Sequence, residues 1–74
     1  MEKEIISKSV EEVMVLIDRG KLSTSQVNKA YKNKMCMYKS YWLNNGMIKR
    51  KRGHIQLQDK YNTFMDEVKK RSPV

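Results

Sequence analysis

Apolar residues recur at helical spacing in several stretches of the chain, and the glycines fall between those stretches. Ile6, Val10, Val13, Met14 and Ile17 follow the i, i+4, i+7 rule of one helix face, and Ser9 with Glu12 makes a capping box. A first helix is expected over about 9–19, stopped by Gly20. A second capping box, Ser23 with Gln26, together with a hydrophobic staple from Leu22 to Val27, starts a helix over about 24–31 whose inner face is Val27, Ala30 and Tyr31. Lys32-Asn33 reads as a short polar break. A third helix, about 34–44, then groups Met35, Tyr38, Tyr41 and Trp42 on one side, sets Cys36, Lys39 and Ser40 opposite, and stops at Asn44-Asn45-Gly46.

The next stretch changes character. Apolar Met47 and Ile48 on one side and Ile55 and Leu57 on the other flank Lys49-Arg50-Lys51-Arg52 and Gly53, a pattern that predicts a β-hairpin over about 47–57 with a basic tip. Tyr61, Phe64, Met65 and Val68 resume helical spacing. A last helix, about 59–71, follows from them, its final turn carrying Lys69, Lys70 and Arg71 to complement the dipole before Ser72-Pro73.

At 74 residues the chain is expected to be a single domain with a modest core, burying about 60% of its unfolded surface. One cysteine, Cys36, excludes an internal disulfide, and with one histidine, His54, a Cys/His zinc cluster is excluded too. No cofactor, metal or small-molecule ligand is expected. No apolar run approaches a membrane span and the first residues lack signal-peptide order, so an intracellular protein is expected. Ile5, Val15 and Leu16 lie off the first helix stripe and are candidates for a homodimer contact.

Charge sharpens the picture more than composition does. The net charge is +8, but residues 1–18 carry five acids against two lysines, whereas residues 19–58 carry ten Lys/Arg and no acid. Nothing in that block repels a polyanion.

The order of elements resembles a winged helix-turn-helix. The likeness lies in Leu22-Ser-Thr-Ser-Gln-Val-Asn-Lys-Ala-Tyr31 as the first helix of the motif. It lies further in Trp42-Leu-Asn-Asn-Gly-Met-Ile48 as a recognition helix running into a wing, as in small excisionase-type proteins and transcriptional regulators. It spans roughly residues 9–70 and departs from the family in having Lys32-Asn33-Lys34 where a glycine is usual. It implies a mainly α fold with a small β-hairpin, and sequence-specific binding of double-stranded DNA by a homodimeric regulator, with the third helix in the major groove. The implied contacts are Asn33, Lys34, Lys39 and Ser40 on that helix, and Lys49, Arg50, Lys51, Arg52 and His54 on the wing.

Plainer alternatives stand beside these. The basic run also suits a solvated turn or a localisation signal, and the aromatic residues of the third helix suit a core better than a stacking platform. Two other functions fit the same residues: architectural or recombination-directing DNA binding without base reading, and a protein-interaction module or inhibitor. No Ser/His/Asp set, carboxylate pair or phosphate-cradling glycine loop is evident, which argues against an enzyme.

Overall fold

The structure, a computed structural model, describes residues 2–46 and 48–71. It has four helices: α1 (Glu2–Ser7), α2 (Val10–Asp18), α3 (Thr24–Asn45) and α4 (Ile48–Arg71). Two long helices, α3 and α4, form an antiparallel hairpin; α1 packs on the middle of α3, and α2 packs on the C-terminal half of α4. At 1.5 Å per residue the hairpin is about 35 Å long, which accounts for most of the 42 Å long axis.

The predicted helix boundaries hold where capping chemistry sets them. Ser9 Oγ accepts from the Glu12 N–H at 3.2 Å at the head of α2. At its tail Gly20, at φ 74°, donates to Ile17 O while Lys21 donates to Leu16 O at 2.8 Å, a Schellman arrangement that uses up α2's last carbonyls. The Ser23/Gln26 box is reciprocal, with both hydrogen bonds at 3.0 Å. Gly46, at φ 63°, ends α3 and donates to Trp42 O.

Two expectations fail. There is no β-hairpin wing among the described residues: Ile48 to Leu57 form the first turns of α4, so the fold is all-helical and not a winged helix. Ile48 and Ile55, expected to anchor strands, are 67% and 49% exposed; Leu57 is buried, but on a helix, and Met47 lies outside the described residues. Gly53, read as a turn residue, has no positive φ. A Cβ there would come within 3.1 Å of the Tyr38 ring, so the glycine serves the close approach of α3 and α4. The break at Lys32-Asn33 is also absent, and α3 runs through it without interruption. Both residues are helix-compatible, and Tyr31, Met35 and Tyr38 carry the apolar face across them at helical spacing.

The core gathers at the α1/α2 end. Ile5, Val10, Val13, Met14, Val27, Ala30, Tyr31, Leu57 and Phe64 are buried. Tyr31 stands edge-on to Phe64 at 5.5 Å and to Tyr61 at 6.2 Å, joining α3 to α4 at its centre. Lys60 Nζ donates to Ile6 O at 2.7 Å, satisfying a carbonyl at the tail of α1 from across the fold. Ile5 belongs to this core and is not at a subunit contact, whereas Val15 is exposed and Leu16 partly so. Arg71 closes this end against Asp18 at 3.3 Å and Glu67 at 2.9 Å; the Arg71 hydrogen bond and the nearby Lys70 charge hold the Glu67 carboxyl below its usual range. No helix of the described residues is long and apolar enough to cross a membrane.

Candidate nucleic-acid interface

The other end of the hairpin is built differently. Here α4 begins with Lys49, Arg50, Lys51 and Arg52, and no acidic residue stands in its first turn. A cation at a helix N-terminus opposes the helix dipole, an effect of about 0.3–1 kcal/mol at a time. Aromatic side chains of α3 offset this. The Arg50 guanidinium lies over Tyr38 at 5.6 Å and Tyr41 at 5.5 Å, and Lys51 Nζ lies over Trp42 at 5.2 Å. Lys34 covers Tyr38 at 5.1 Å. Such contacts contribute about 0.5–1 kcal/mol apiece where exposed, so they balance the dipole term without leaving a surplus.

Helical spacing makes the four cations unequal. Arg50 is half-buried against its two rings, whereas Lys49, Lys51 and Arg52 are exposed. His54 is half-buried beside them. Among the described residues every ion pair lies at the opposite end, between Asp18, Glu67, Lys70 and Arg71. The basic end therefore has its charge uncompensated by carboxylates.

The four residues expected on a recognition helix are not gathered on one face: Asn33 and Ser40, seven apart, lie on one strip of α3, and Lys34 and Lys39 lie about 100° to either side of it. Asn33 Nδ2 donates to Glu2 Oε1 at 3.1 Å, and with Lys34 it lines a groove of about 490 Å³ between α1 and α3, floored by Ile6, Ala30, Met37 and Tyr38. A carboxylate at that point disfavours a phosphate. Ser40 accepts from Asn44 on the outer side of α3, and Lys39 is exposed some 100° round from it. Of the two cations among the four, Lys39 is the nearer in sequence to the basic end. Cys36 is exposed.

Tyr38, Tyr41 and Trp42 are part of this surface as seats for the cations, whereas the sequence favours a core over a stacking platform for them. Their signal was spacing: the first turn of α4 is rich in cations, and α3 presents rings at i, i+3 and i+4 opposite it. Among the described residues no three His, Cys, Asp or Glu are grouped to hold a metal ion. No protein-family model matches the chain, and neither a curated protein nor a solved structure matches it.

Proposed function

We propose that the protein binds double-stranded DNA through its phosphate backbone, using the first two turns of α4 and the facing end of α3. One observation carries this reading: four consecutive cations stand in the first two turns of a helix, and among the described residues no carboxylate pairs with them. A bound anion is attracted by the helix N–H groups and the side-chain cations together. Local electrostatics that oppose the fold are expected where function requires them. The acids around the tail of α4, Glu11 and Asp18 of α2 and Glu67, lie away from the cations and orient the molecule by repelling phosphate from that end.

Backbone contacts alone make the protein an architectural DNA binder, and base reading would add a regulatory role. A homodimer belongs to the same proposal, with exposed Val15 and half-exposed Leu16 of α2 as the contact. The test is a titration of a generic 20–30 base-pair duplex at several salt concentrations. Binding should weaken with a slope of about −3 or steeper in log K against log salt, as Lys49, Lys51, Arg52 and Lys39 release counterions. Absence of binding at low salt contradicts the proposal and favours a protein-interaction module.

A further inference from the structure

The outward face of α4 has a feature that phosphate binding does not use. At about 100° per residue, Ile48, Arg52 and Ile55 form one row directly opposite buried Leu57 and Phe64. Ile48 is 67% and Ile55 49% exposed, and Arg52 stands exposed between them. Gln56 is exposed beside the row, and Lys49 and Lys51 flank it on either side. Isoleucines contribute nothing to neutralising phosphates, and their exposure to water is unfavourable.

We infer that this face enters the major groove and reads base pairs, with Arg52 and Gln56 as specificity-determining residues. The inference rests on the duplex-binding proposal above and adds sequence reading, moved from α3 to α4. An α-helix with its side chains is about 10–12 Å across and the groove about 12 Å wide, so the row fits with a flanking lysine toward each phosphate strand. From Ile48 to Gln56 the row covers about 12 Å, the rise of three to four base pairs. The Arg52 fork matches the O6 and N7 acceptors of guanine, and the Gln56 amide matches the N6 and N7 edge of adenine. Ile48 and Ile55 suit the thymine methyl. Asp59, one turn past Ile55 on the same row and exposed, repels phosphate and ends the footprint.

Arg50 is held over two tyrosine rings and is not part of the reading face. The two isoleucines also offer less apolar surface than a single myristoyl chain, which anchors to membranes only marginally, so a lipid surface is the poorer occupant. All six residues lie outside the buried core, so substitutions here change the surface and not the fold.

The test is selection of duplexes from a random pool with the full chain, followed by affinities for the selected and a scrambled duplex at fixed salt. The wild type should enrich a motif of about three to four base pairs containing guanine. Arg52→Lys keeps the charge and loses the fork: it should cut the preference for the motif at least about tenfold while scrambled-duplex affinity moves less than about threefold. Lys49→Gln should weaken both duplexes equally. Duplex binding with no enriched motif overturns this inference and leaves the backbone proposal standing, and no duplex binding overturns both. An Arg52→Lys protein that selects the same motif with undiminished preference also overturns it.

Discussion

The same pair of helices is held together in two different ways at its two ends. At the α1/α2 end Tyr31 and Phe64 are fully buried, and the core that surrounds them is apolar. At the basic end rings of α3 serve as seats for cations of α4, Gly53 lets Tyr38 approach, and Ile48 and Leu43 remain more than half exposed. Stability is concentrated in one end, and the other is released from that task. Residues at the basic end can therefore be chosen for what they bind.

Substitutions should separate the two ends. Phe64→Ala removes the ring that Tyr31 meets edge-on, and should cost about 3–5 kcal/mol in chemical denaturation, enough to unfold much of so small a protein. Gly53→Val places branched carbons where a Cβ already lies 3.1 Å from the Tyr38 ring, and should cost about 1–3 kcal/mol by splaying the basic end. A variant as stable as the wild type would show that the close approach at Gly53 does not hold the hairpin.

Tyr31→Phe has the opposite sign. The Tyr31 hydroxyl is buried and has no hydrogen-bond partner, so its removal should stabilise by about 1 kcal/mol. Burial also raises the Tyr31 pKa above 10.0. Its contribution is present below the unfolded value and is lost as pH rises toward the folded one, so wild type should lose stability above about pH 10 and Tyr31→Phe less so. Equal alkaline melting curves for the two proteins would contradict this.

Legibility in the sequence followed the same division. Caps at Ser9 and Ser23 and stops at Gly20 and Gly46 were visible because each depends on residues close in sequence. Inner-face residues Val27, Ala30, Tyr31 and Phe64 were visible through their spacing. The basic segment was misread because a glycine after four cations is locally a good turn. What overrides that preference lies in α3: the Tyr38 ring needs a glycine opposite it, and Tyr41 and Trp42 seat Arg50 and Lys51. A residue's role set by a partner some fifteen positions away is not written in its own neighbourhood. For the candidate site, the cations were legible as a phosphate-binding set, whereas their placement on a helix moved the face from Asn33–Ser40 to α4.

The most direct measurement replaces Lys49, Arg50, Lys51 and Arg52 together by glutamine and compares unfolding with duplex affinity as a function of salt. If the basic end serves binding and not stability, the melting curve should stay within about 0.5–1 kcal/mol of wild type, because lost cation–π contacts and the relieved helix dipole nearly cancel. The slope of log K against log salt should meanwhile fall by about three. An unfolded variant, or one that keeps the wild-type slope, would contradict the division between the two ends.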